Sequence, residues 1–457
     1  MTALPRPESR LRTLVKRAGR NRTVLWIAFV LTHLLLGFQN LNESGTPLGD
    51  VIIQYKYWAE QADFAGYYVG IDKEWVYPIV AMVPILIAAI FGFNNYAGAW
   101  LALVFVLDLI AFAAMVGWRR RSDTIPYIGW WWIGFLLLLG PIAMGRIDSI
   151  SVPIAIVAVL LLARRPRVAA FLLTIATWIK VWPAALIAAV IVASKARIRF
   201  LVTVLITSIL IIAIAMALGS GFRVFSFVTQ QTSRGLQVES PVSTIWMWMS
   251  YAHVPGAFPY YNIAINTFEV GGPDATAVAA LLTPLLALVV LVVVILGIVA
   301  VQRGAVVTEL LAPLALALVS AFIAFNKVGS PQYMTWLAVP IILGIATHSM
   351  GYGRSFQIPG FVAIVAAGLT QIFYPVEYLD LLRLNAVLLI DLTVRNILIL
   401  VLFGWSVGIL IRLTRPFVAH DKLADPDAWL PAAWPFQLHP SRLVEADATT
   451  DEDPATP

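Results

Sequence analysis

The chain has 457 residues, 60% hydrophobic and 12% charged, against roughly 45–50% apolar and about 25% charged in a soluble domain, which excludes a soluble globule. Its formal net charge of +6 sits in short basic clusters between apolar runs, the positive-inside pattern of a membrane protein and not the patch of a nucleic-acid binder. Zero cysteines remove disulfide and thiol chemistry, and five scattered histidines (His33, His253, His348, His420 and His439) leave no zinc-like cluster.

Residues 1–22 carry seven Arg/Lys against one Glu and read as a cytoplasmic basic N-terminus. The first predicted helix covers residues 24–38. No small-residue cleavage site follows it, so it is retained and not a signal peptide. A polar stretch, residues 39–76, forms the first extracytoplasmic loop. Further apolar segments centre near residues 84, 107, 135, 155, 173, 188, 209, 290, 316, 340, 365 and 400. Residues 279–301 hold no charge over 23 positions and residues 201–220 none over 20, each enough for the about 20 helical residues a bilayer needs. Unbroken apolar runs in place of short alternating ones exclude a β-barrel.

Lys180 and Pro183 break residues 168–192, predicting two short helices there. The last segment, residues 388–411, carries Asp391 and Arg395 near its outer end and finishes in Arg412 and Arg415. The expected fold is an all-α polytopic bundle of about twelve transmembrane helices within residues 23–415. A Pro/Ala-rich acidic tail, residues 416–457, reads as disordered and cytoplasmic.

Placing both Arg119–Arg121 and Arg164–Arg167 in the cytoplasm requires residues 77–91 and 100–117 to make one net crossing, so one of them is half-spanning or re-entrant. The alternative leaves one arginine cluster outside. On the first arrangement the polar stretches 39–75, 145–149, 220–278, 325–333 and 374–385 and the Lys180 break all face outward, and the cytoplasmic turns are short and basic. Both termini are then cytoplasmic and the chemistry lies outside a multi-pass plasma-membrane protein.

Asp50 follows the first helix in Leu48-Gly49-Asp50, with Tyr55 and Trp58 after it. An acidic side chain at the membrane surface suits a general base for a sugar hydroxyl, although a helix cap would need no more. The loop closes with Glu74 and then Tyr77-Pro78. In Gly145-Arg146-Ile147-Asp148 the acid fits a plain N-cap and the arginine a snorkelling anchor, or both fit a substrate. Lys180 stands between apolar helices with no carboxylate nearby in sequence. A mid-membrane charge costs about 2.5–3.5 kcal/mol on insertion scales, and a lysine at a broken-helix tip between Trp178 and Trp182 suits a lipid-linked phosphate. Lys327, Gln332 and Tyr333 occupy a polar turn that interrupts two apolar helices. Arg234 and Gln237, with Trp246 and Trp248, lie in the long loop. No Asp-x-Asp pair appears in the first loop, so metal-independent chemistry without cofactor is expected, with Lys180, Arg146, Lys327 and Arg234 neutralising a leaving phosphate.

Five pieces in order resemble the GT-C superfamily of membrane glycosyltransferases, and more narrowly glycosyltransferase family 87. They are Gly49-Asp50 with Tyr55 and Trp58, Tyr77-Pro78, Gly145 to Asp148, Ala176-Thr177-Trp178-Ile179-Lys180 with Pro183, and Asn326-Lys327-Val328 with Ser330-Pro331-Gln332-Tyr333. Two departures bear on the acceptor: Arg146 stands where the family usually has Gln, and Tyr77-Pro78-Ile79 where it often has a double Pro.

The resemblance implies a polyprenyl-phosphate sugar donor, Asp50 as base and Lys180 near the lipid phosphate. The expected reaction is inverting transfer of a sugar, mannose foremost, to a glycolipid, lipoglycan or wall glycan. Tyr55, Trp58, Glu74, Tyr77, Asp148, Gln237, Gln332 and Tyr333 are the expected substrate contacts, in a monomer that meets membrane lipids and no nucleic acid. A transporter or lipid flippase is the alternative and a non-catalytic scaffold the third reading.

Overall fold

A computed structural model of the chain describes residues 21–43, 45–117, 125–194, 197–230 and 234–415. The basic N-terminus through residue 20, the Arg119–Arg121 cluster, Lys195, residues 231–233 of the long loop, and the acidic tail with His420 and His439 lie outside the described residues.

In lipid every backbone N–H and C=O must be bonded internally, so long apolar runs become helices. Six helices among the described residues are long and apolar enough to cross a bilayer. They are α1 (Arg22–Asn42), the run 93–116 that contains α4 (Tyr96–Val116), α9 (Arg197–Ala217), α12 (Ala275–Gln302), α13 (Val307–Ala324) and α17 (Ala386–Leu413). The first is longer than its apolar core predicts because Asn21 caps its start and the Asn40 and Asn42 amides bond back to the preceding turn.

The remaining apolar segments form shorter helices: α5 (Ile125–Leu139), α6 (Asp148–Leu161), α7 (Pro166–Ile179), α8 (Ala184–Ala193), α14 (Met334–Ser349) and α15 (Gln357–Phe373). The six long helices and these shorter apolar ones together make a mostly helical bundle. Residues 77–91 yield a 3-10 turn and the six-residue α3 (Met82–Ile87), about 9 Å long against a hydrocarbon core of about 30 Å.

Helix α13 is the hub. Of its span, 78% is buried, against 17% for α9 and for α12, which places those two at the lipid-facing edge. α13 packs on α14, α17 and α8, while α6 joins α4, α7 and α14. Between α7 and α8 the chain turns extended at Lys180 (φ −149°, ψ 134°), and Pro183 starts the next helix. The Trp182 indole donates to Ser151 Oγ at 3.0 Å and ties the break to α6.

The first loop holds a π-helical turn at Asp50–Tyr55 followed by α2 (Lys56–Ala65). The long loop holds α10 (Ser226–Thr229), α11 (Thr244–Tyr251) and a three-stranded antiparallel sheet. In that sheet β3 (Thr267–Gly271) lies between β1 (Leu236–Gln237) and β2 (Phe258–Asn262), with Gln237 and Tyr260 both opposite Glu269. An all-α reading misses this sheet because its strands are short and β2 reads Phe-Pro-Tyr-Tyr-Asn, without apolar alternation. A five-residue α16 (Tyr378–Leu382) precedes α17.

Candidate functional site

The centre of the site forms where two turns meet. The Pro47 carbonyl lies so close to Gly145 that a Cβ there would sit 2.6 Å from it; any larger residue would push the turns apart. That approach lets the Arg146 guanidinium donate to the Pro47 carbonyl, to the Gly145 carbonyl at 2.8 Å and to the Tyr374 hydroxyl at 2.6 Å. Its Nε pairs with Asp50 Oδ2 at 3.1 Å. Burial opposes the Arg146 charge, but Asp50 and the nearby phenols outweigh it and hold the guanidinium above its usual range. Arg146, expected among the donor-phosphate cations, is therefore held beside the acid. The Asp50 side chain keeps 44% of its surface exposed, so it is held on one side and open on the other.

The π turn carries Tyr55 inward from the same segment. Its hydroxyl accepts from the Ile147 N–H at 3.3 Å and meets the Tyr77 hydroxyl at 3.4 Å. Burial, followed by Tyr77, pushes its phenol well up, so it stays a neutral hydroxyl. Trp58, Trp75 and Tyr77 stand edge to face, with ring centres 5.3–6.0 Å apart, and Tyr55 stacks on Trp58 at 5.8 Å. The result is an aromatic box beside Asp50.

Lys180 reaches over this box, its Nζ 4.5 Å from the Tyr77 ring centre and 5.9 Å from that of Tyr333. It has the carboxylate that the sequence hid: Asp148 Oδ2 is 4.0 Å away. Asp148 is fully buried, and its Oδ1 accepts from the Trp336 indole at 2.6 Å. Trp336 stacks between Tyr333 (4.0 Å) and Trp182 (5.6 Å), so three rings wall the site behind Lys180. Asp148 begins α6 without any side-chain cap bond, which sets aside the plain N-cap for this residue.

The long loop and the 325–333 turn are pressed together at Gly329, where a Cβ would lie 2.3 Å from Ser240 Cα. Two bonds lock them: the Gln237 N–H donates to the Lys327 carbonyl at 2.9 Å, and the Gly329 N–H to Gln237 Oε1 at 3.2 Å. Arg234 comes within electrostatic reach of Lys180, Lys327 and Tyr333, with its Nε buried and unpartnered. Burial, then Arg234, pushes the Lys327 ammonium down; cations that repel one another in a shared cleft are a standing attraction for an anion. Gln332 is buried on the same turn, its Oε1 unpartnered.

Glu74 stands apart. It is exposed and accepts from Gln230 at 2.6 Å, joining the first loop to the long one. The other sequence-predicted residues fall into one connected set. Sequence reasoning missed Trp336 and Tyr374, because an aromatic at the end of an apolar helix looks like core. It also left Glu239 among ordinary loop polar groups. No protein-family model matches the chain, and neither a curated protein nor a solved structure does.

Proposed function

We propose that the chain is an inverting glycosyltransferase that moves a sugar, mannose foremost, from a polyprenyl-phosphate donor to a glycolipid or cell-envelope glycan. The observation that carries this reading is the convergence of Lys180, Arg234 and Lys327, from three distant segments, beside an aromatic box and a half-exposed carboxylate. A phosphate needs the first, a sugar ring the second, and an attacking hydroxyl the third.

In the proposed step Asp50 takes the proton from an acceptor hydroxyl. The acceptor oxygen bonds to the anomeric carbon from the face opposite the phosphate. The bond from that carbon to the phosphate oxygen breaks, its electron pair leaves with polyprenyl phosphate, and the three cations balance the released charge. The developing charge on the phosphate is thus met by fixed side chains, and the reading keeps the reaction metal-independent. It also retains a GT-C-type bundle of about twelve membrane segments, half of them short, acting as a monomer in the plasma membrane with an outward-facing site and cytoplasmic termini.

The second reading, a transporter or flippase, draws on one observation. His33 Nε2 meets Asp108 Oδ2 at 3.1 Å, both buried between α1 and α4, and ionisable pairs at membrane depth often mark transport paths. The test is transfer of radiolabel from polyprenyl-phospho-mannose into lipid extract by purified wild type and Asp50→Asn. Transfer by the wild type, lost in a folded variant that still binds donor, is expected. Equal transfer by both would remove Asp50 as base, and transfer by neither would favour the transporter.

A further inference from the structure

Beyond Tyr374 the site continues into a second charged group. Tyr378 packs edge to face on Tyr374 at 5.3 Å and donates its hydroxyl to Glu239 Oε1 at 2.7 Å. Glu239 (2% exposed) and Asp391 (8% exposed) both lie within electrostatic reach of Arg395, which is fully buried in the N-terminal half of α17. Arg395 donates to Asn396 Oδ1 at 2.8 Å and lies 5.2 Å from the Phe373 ring centre. Its Nε and Nη2, Glu239 Oε2 and Asp391 Oδ2 are all buried without a hydrogen-bond partner. Among the described residues no direct ion pair joins Arg395 to either acid.

We infer that Glu239, Arg395 and Asp391, with Tyr374 and Tyr378 as its rim, form a binding site for a neutral carbohydrate, the acceptor's own sugar ring.

The chemistry selects the ligand class. Two unpartnered N–H donors within electrostatic reach of two carboxyl groups that each keep an unpartnered oxygen match neighbouring hydroxyls, each of which gives one hydrogen and accepts another. A phosphate or other anion would face two carboxylates against one guanidinium. An apolar group would leave every polar atom unsatisfied, at a cost for each. Tyr374 and Tyr378 are partly buried and supply ring edge for a sugar, and Tyr374 bonds Arg146, which pairs with Asp50. The inference that this ligand is the acceptor rests on the glycosyltransferase reading; that it is a carbohydrate does not.

The test is donor-free. Full-length protein in detergent is titrated with methyl α-mannobioside and, in parallel, methyl maltoside, followed by saturation-transfer NMR. Wild type is expected to bind at least one glycoside. Glu239→Gln and Arg395→Met are expected to weaken it by about tenfold or more, the loss of hydrogen bonds to charged groups. Tyr378→Phe, which removes one hydroxyl and keeps the ring, covers the case in which Arg395→Met does not fold. Binding of neither glycoside, or binding unchanged in Glu239→Gln and Tyr378→Phe, would overturn the site. Binding with this pattern but no transfer from polyprenyl-phospho-mannose would sink the transferase and leave the carbohydrate site standing. Transfer without such binding would do the reverse.

Discussion

Arg146 and Asp50 show how a residue pair divides labour that sequence assigns to each separately. The guanidinium is anchored on Pro47, Gly145 and Tyr374 while its Nε pairs with Asp50. Arg146→Lys keeps the charge and loses the planar fork. It is expected to lower kcat by on the order of 100-fold, the penalty of a reacting group misplaced by about 1 Å, with donor KM unchanged; steady-state kinetics on both substrates reads this. Glu239 makes a second prediction. Burial pushes its carboxyl up, and the Tyr378 hydrogen bond reverses this in part. A carboxyl raised in the folded state holds more protons there than in the unfolded chain. Stability therefore falls as pH climbs from the unfolded value, about 4.3, through the folded one. Glu239→Gln, neutral at every pH, is expected to be more stable than the parent at neutral pH, and the difference closes on acidification, as thermal melts across that range would record. At this scale Asp50 and Lys180 were legible, because a charge beside an apolar run has few bland uses. Asp148 as the partner of Lys180 was not, since 32 positions separate them and only the packing of α6 on α7 brings them together.

Two turns owe their shape to glycine. A Cβ added at Gly329 would meet the Glu239–Ser240 backbone, which cannot swing away as a side chain can. Gly329→Ala is expected to cost about 1–3 kcal/mol and to part Lys327 from Arg234, so that donor KM rises more than kcat falls; a melting curve and a donor titration separate the two effects. The break at Lys180 and Pro183 was visible as punctuation in an apolar run. The sheet was not, because two- and five-residue strands give too short a period to read, and pairing with a distant segment alone makes them strands.

Across the whole molecule the absence of cysteine supplies a clean background for locating the site. Ile263→Cys, in the turn between β2 and β3 and 78% exposed, is expected to react in intact cells with a maleimide that cannot cross membranes. Arg303→Cys, at the end of α12, is expected to react after permeabilisation alone. The reverse pattern would put the polar loops inside and overturn the topology. The site itself draws on residues from Asp50 to Tyr374, and the hydroxyl that completes the Arg146 anchorage lies 228 positions downstream of it. At about 5–20 residues per second a ribosome takes roughly 10–45 s to supply it. For that interval the nascent chain carries Arg146 and Asp50 in place but unfastened on one side. Any catalysis by this protein must therefore await synthesis of Tyr374, and a chain arrested earlier would lack that fastening of Arg146.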